Sequence, residues 1–131
     1  MEYQGKLISE FLNQKEIAVV GASRNPSKYG NIVLKKLRAA GYHTYAVNPA
    51  TDQVEGQPAY PDLLSLPPSV KAAVVVVPPH ISESIARQAV TAGYRYVWFQ
   101  PGAESPEAIS ILKEAGIGVI YNTCLLVRIT P

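Results

Sequence analysis

Residues 19–33 read VVGASRNPSKYGNIV. An apolar run ends on Gly21, a polar and basic loop follows, and an amphipathic segment opens at Tyr29. That grammar predicts a strand, a turn and the start of a helix. Gly21 lets the backbone turn tightly and come close to a ligand. Ser23 and Ser27 carry hydroxyls, and Arg24 and Lys28 add positive charge. The free N–H groups of a helix start favour an anion. The stretch reads as a phosphate-binding turn; the competing reading is an ordinary strand-to-helix connection with solvated basic residues.

Spacing narrows the ligand. The dinucleotide fingerprint needs G-x-G-x-x-G and an acid at the tip of the second strand, where it holds a ribose hydroxyl. Here Ala22 and Ser23 follow Gly21, and the next glycine is Gly30. The second strand ends Ala46-Val47-Asn48-Pro49, and Asp52 lies further along. This argues against NAD. The lack of Gly-Lys-Ser/Thr argues against a P-loop as well. A missing acid beside extra basic residues fits a nucleotide bearing a further ribose phosphate.

Working outward, three stretches end in Ala-Gly before a β-rich run: Ala40-Gly41, Ala92-Gly93 and Ala115-Gly116. Glycine after a helix takes the left-handed closing position, so each reads as helix, glycine, strand. The predicted strands are Ile17–Val20, Thr44–Val47, Ala73–Val77, Tyr96–Phe99 and Gly118–Tyr121. They are short and apolar, as in a parallel sheet buried on both faces. Helices are predicted at Tyr29–Ala40, Ser82–Ala92 and Pro106–Ala115, with an extra one near Leu7–Asn13. Asn48–Lys71 reads as a loop-rich crossover with a short helix at Pro61–Ser65. The expected fold is α/β: a Rossmann-like, doubly wound, five-stranded and mainly parallel sheet flanked by helices, in order 3-2-1-4-5. Residues 1–131 read as a single domain.

The bulk composition excludes several classes. The 131 residues suffice for one core, and 47% hydrophobic with 17% charged residues suits a globular domain. A net charge of +2 is too small to argue for nucleic acid. No run approaches a membrane span, and the charged N-terminus does not resemble a signal peptide. A single cysteine, Cys124, allows neither an internal disulfide nor a cysteine-built metal site. A cytoplasmic location follows as the default.

Ligands of such sheets lie at the carboxyl ends of the strands. Four loops qualify: Gly21–Lys28, Asn48–Thr51, Pro78–His80 and Gln100–Ala103. After Val77, Pro78 and Pro79 cannot donate N–H groups and leave a flat apolar surface, suited to an adenine or an apolar cofactor arm, or serving only as a stiff terminator. Gln100 places an amide at a strand tip. His43 sits at the opposite end, and His80 reads as an incidental exposed histidine. Cys124 follows the last strand on the crevice side, either as a core residue or as a thiol facing a ligand. No Ser-His-Asp set, paired carboxylates or metal spacing is visible, which favours a binder over an enzyme.

Five stretches together resemble the stand-alone CoA-binding domain family, relatives of the CoA-binding domain of succinyl-CoA synthetase α subunits. They are VVGASRNPSKYGNIV, AVNP at Ala46–Pro49, VVVVPP at Val74–Pro79, VWFQPG at Val97–Gly102, and NTC at Asn122–Cys124, covering about Lys15 to Arg128. The resemblance implies a Rossmann-like domain that binds coenzyme A. It places Gly21, Ala22 and Ser23 at the phosphate turn and Lys28 on the nucleotide phosphates; Arg24, for its charge, and Tyr29, at the helix start, are also expected to bind the cofactor. It sets Asn48 and Pro49 by the adenosine, Val77 and Pro78 against the nucleotide or pantetheine, and Gln100 and Cys124 around the pantetheine. The synthetases carry a second domain with a phosphorylated histidine; this chain ends soon after Cys124, so ligase chemistry is not expected. The apolar run Leu125–Ile129 departs from the family pattern and suggests packing, including at a homodimer contact. The expectation is a non-catalytic coenzyme A or acyl-CoA binding protein. The alternatives are an NAD(P)-binding redox-sensing module and a small thiol-exchange enzyme using Cys124.

Overall fold

In the computed structural model, which describes residues 2–129, the stretch Val19–Val33 forms the strand, turn and helix its pattern predicts. β1 is Glu16–Val20 and α2 is Tyr29–Ala39, preceded by α1 at Glu2–Leu12. β2 (His43–Val47), β3 (Gln53–Val54) and β4 (Gln57–Tyr60) follow, then a 3-10 turn at Leu63–Ser65. β5 (Ala72–Val75), α3 (Pro79–Ala92), β6 (Tyr96–Phe99), α4 (Pro106–Glu114) and β7 (Gly118–Ile120) complete the elements, with a 3-10 turn at Leu125–Val127. α4 starts as its sequence predicts: Pro106 opens it, and the Ser105 hydroxyl accepts from the Ala108 N–H at 3.1 Å.

The sheet has seven strands in the order β3-β4-β2-β1-β5-β6-β7. All five predicted strands are present and parallel. Two expectations need correction. The sheet is not five-stranded, and Ala72–Val75 pairs with β1 rather than sitting beyond β2. The third position belongs to β4, which runs parallel to β2 inside the segment expected to be loop. β4 pairs antiparallel with β3 through a two-residue turn at Glu55 and Gly56, with φ of 50° and 78°. Two successive positive φ values mark the hairpin turn whose twist matches its strands. Pro58 inside β4 and a two-residue β3 hid the hairpin, since proline normally argues against a strand.

Side chains of successive strand residues face opposite layers. Along β6, Tyr96 and Trp98 pack with α1 and α2, while Val97 and Phe99 pack with α3 and α4. All four are buried, as the unbroken apolar run requires. α1 contributes Leu7, Ile8 and Phe11, with Phe11 edge-on to Trp98 at 5.2 Å between ring centroids. α3 and α4 present small residues, Ala86, Ala89 and Ala108, so they approach the sheet closely. The apolar run after Cys124 is largely packing: Leu125 is fully buried, and Leu126 and Ile129 lean on the α1–α2 layer. Of its apolar side chains Val127 is the exposed one, at 72%. Among the described residues no helix is long and apolar enough to cross a membrane.

Candidate functional site

The carboxyl ends of β1, β5 and β6 open into a cleft of about 660 Å³. Its walls are the Gly21–Gly30 turn, Val76–Pro78 after β5, Gln100–Ala103 after β6, and Cys124. The turn is fixed by two contacts that only glycine permits. A Cβ on Gly21 would stand 2.1 Å from the Val76 carbonyl oxygen, and Gly21 has a φ of 93°. A Cβ on Gly30 would stand 1.9 Å from the Gly21 carbonyl oxygen. Helix α2 therefore begins directly against the end of β1, with its N–H groups at the cleft. Lys28 takes the N-cap position without a side-chain cap, and the first turn carries no acid. The Asn31 and Ile32 N–H groups donate to the Lys28 carbonyl, while the Tyr29 and Gly30 N–H groups have no acceptor among the described residues and are left open for an anion.

Within the loop, the Asn25 N–H donates to the Ser23 hydroxyl at 3.0 Å. The Ser27 N–H and hydroxyl both donate to the Asn25 side-chain oxygen, at 2.9 and 2.8 Å. The Ser27 hydroxyl, expected as a ligand donor, is thus spent on loop shape. Ser23 faces the cleft.

On the far wall, Gln100 is buried and committed at both ends of its amide. Its oxygen accepts from the Leu125 N–H at 2.7 Å, and its nitrogen donates to Cys124 Sγ at 3.4 Å. The Trp98 indole donates to the Thr123 carbonyl at 2.9 Å. Strand β6 thereby pins the Thr123–Leu125 segment over the cleft and leaves the Cys124 thiol partly exposed. The Ser82 hydroxyl donates to the Ala103 carbonyl and fixes the Gln100–Ala103 turn to α3.

The structure brings eight of the sequence-chosen residues to the cleft: Gly21, Ser23, Lys28, Tyr29, Val77, Pro78, Gln100 and Cys124. Four lie outside its lining. Ala22 is buried beneath the turn, and Arg24 and Pro49 are exposed beside it. Asn48 acts on the turn itself: its amide donates to the Ala22 carbonyl at 2.8 Å. Gly30, Val76, Pro101, Gly102 and Ala103 complete the walls. The strand-tip rule already marked the last three, while Gly30 is legible only through its contact with Gly21. His80 lies in a separate shallow depression on α3, and His43 stacks on Tyr45 at the opposite end of the sheet.

A cleft at the carboxyl ends of the strands, where the order of a doubly wound sheet reverses, is where α/β domains take their ligands. Residues 15–130 match the model of the CoA binding domain family, and the chain belongs to that family. It is 31% identical over 121 residues to the ADP-forming acetate–CoA ligase I of Archaeoglobus fulgidus, covering 85% of this chain but 18% of the ligase. It is equally 31% identical over 121 residues to the uncharacterized protein YneT of Bacillus subtilis, covering 92% of this chain and 90% of that one. Among solved structures, a conserved hypothetical protein from Pyrococcus furiosus superposes with a TM-score of 0.84 at 45% identity, over 87% of this chain and 98% of the other.

Proposed function

We propose that the cleft binds coenzyme A and that the chain acts as a non-catalytic carrier, sensor or buffer of coenzyme A or an acyl-CoA. The observation that carries this reading is the uncapped start of α2 packed on Gly21, opening into a long apolar cleft, in a chain of the CoA binding domain family. The nucleotide phosphates sit at the Gly21–Lys28 turn, with Lys28 and Arg24 adding charge. The pantetheine runs between Val76–Pro78 and Gln100–Ala103, whose apolar walls suit its methylated chain. Its thiol end then comes toward Cys124. Asn48 at the tip of β2 has no carboxylate to hold a free ribose pair, which favours a 3′-phosphorylated adenosine over NAD.

Calorimetric titration with CoA, dephospho-CoA, NAD and NADP at one ionic strength tests it. Tight CoA binding that weakens with dephospho-CoA supports the assignment; NAD or NADP binding better than CoA overturns it. A second reading is favoured by one contact, the partly exposed Cys124 thiol on the cleft wall. As a thiolate it would attack CoA disulfide, forming a mixed disulfide and releasing one CoA thiolate. A Cys124→Ser variant that binds CoA normally and exchanges thiols at the wild-type rate removes that reading.

A further inference from the structure

Two carbonyls of the phosphate turn are tied back into the protein by side-chain amides. The Asn48 amide donates to the Ala22 carbonyl, and the Asn31 amide donates to the Ser23 carbonyl, both at 2.8 Å. In a planar trans peptide the N–H points opposite to the C=O. The Ser23 and Arg24 N–H groups are therefore turned away from these amides and outward. Among the described residues neither N–H has an acceptor, nor does the Ala22 N–H before them, whereas the Gly21 and Asn25 N–H groups do. Consecutive unpaired N–H groups make an anion-binding concavity.

Asn31 is fully buried, and its amide is shared. Its second N–H donates to the carboxylate of Glu55 at 2.8 Å. Glu55 is an exposed residue at the turn of the β3–β4 hairpin, with a φ of 50°. Arg38 fixes that hairpin to α2: its guanidinium donates to the Glu55 carbonyl at 3.2 Å, to Gln57 and to Thr44. A chain of contacts thus runs from the hairpin through Asn31 to the Ser23–Arg24 peptide.

We infer that Glu55 is a positioning residue for phosphate binding, acting through Asn31 to aim the Arg24 N–H outward at the ligand. The inference rests on the cleft's being a phosphate site. Its sign is unusual. An acid near bound phosphates repels them, so removing its charge strengthens anion binding if charge alone matters. As a holder of Asn31, Glu55 supports the phosphates, and its removal weakens binding.

Glu55→Ala and Glu55→Gln separate the two. Both replacements keep a non-glycine residue at the same turn position, and Gln keeps an oxygen that accepts from Asn31. Affinity for CoA and for inorganic pyrophosphate is measured at one ionic strength on the full chain. The amide resonances of Ser23 and Arg24 are followed by NMR, because a phosphate contact shifts such protons downfield. The expected order is Gln at or above wild type, with Ala weaker on the order of tenfold. The Arg24 amide shift is expected in wild type and Gln and reduced in Ala. Ala binding as well as or better than wild type overturns the inference, as do Arg24 amides unmoved by both probes. Wild type that takes pyrophosphate with this order of variants, but not CoA, removes the coenzyme reading and leaves the positioning role standing.

Discussion

Replacing Gly30 with Ala sets two effects against each other. Alanine is the better helix former, by about 0.8–1 kcal/mol in a helix interior. Against this, the new Cβ would lie 1.9 Å from the Gly21 carbonyl oxygen, 2.8 Å from its carbon and 3.2 Å from Ala22 Cα. A carbon and a carbonyl oxygen meet at about 3.3 Å or more, so the helix and the turn must separate by roughly 1.4 Å. The turn cannot simply retreat, since Gly21 is itself held against the Val76 carbonyl. Overpacking a well-fitted site costs about 1–3 kcal/mol, and two backbone segments in conflict belong at the upper end. The net loss is about 2 kcal/mol, a fall in Tm of roughly 6–10 °C for a chain of this size. Gly5→Ala in α1 is the control: nothing lies within 4 Å of its Cβ, so propensity acts alone and Tm rises by a few degrees, about 3–5 °C. Thermal denaturation of the three proteins reads both signs, and CoA titration reads the displaced turn as a weakened affinity. A Gly30→Ala protein as stable as wild type would refute the claim that close approach fixes this turn.

Further outcomes follow from other contacts. Lys28→Ala weakens CoA binding by about 1–3 kcal/mol, the worth of one charge-assisted contact, and flattens its salt dependence; a titration series in salt checks both. Gln100→Leu strands the buried Leu125 N–H, which costs about 1–3 kcal/mol in urea unfolding and speeds labelling of Cys124 by a thiol reagent. At the other end of the sheet, the Tyr45 hydroxyl donates to the Glu16 carboxylate at 2.7 Å. That hydrogen bond, with burial and the carboxylate charge, pushes the tyrosine up to about 12 and, with a second bond from Ser69, holds Glu16 below 4.5. Tyr45 thus adds stability that is whole below its ordinary value of 10 and lost as pH rises towards about 12. Glu16 adds stability that is whole above 4.5 and lost as pH falls through its lowered value. The Tm difference between wild type and Tyr45→Phe should shrink across the alkaline window; a constant difference counts against the pair.

The parallel strands were legible because burial on both faces leaves an unbroken apolar run, as in Val74–Val75 and Tyr96–Phe99. The helix ends were legible through proline and glycine at Pro106, Gly93 and Gly116. The β3–β4 hairpin was not, because β3 is two residues long, Pro58 interrupts β4, and the side chains that anchor its turn, Arg38 and Asn31, lie 17 and 24 positions away. For the same reason the contacts of Asn31 with Ser23 and Glu55 were invisible, as was the hold of the Asn48 amide on the turn. Residues that touch a ligand cluster at strand tips, where a rule exists to find them. Residues that hold those tips in place are scattered through the chain, and only folding collects them.

The two ends of the sheet carry a separate consequence. β3 contributes two residues to one border and β7 three to the other. Strand addition, which drives edge-to-edge aggregation, needs a longer row of unpaired N–H and C=O groups than either supplies. At one border the Tyr121 N–H, just past β7, is already taken by the Gln4 side chain, and at the other the short β3 covers Gln57 and Pro58 of β4. Neither border strand therefore offers a second copy of the chain a long row of open backbone groups to pair with.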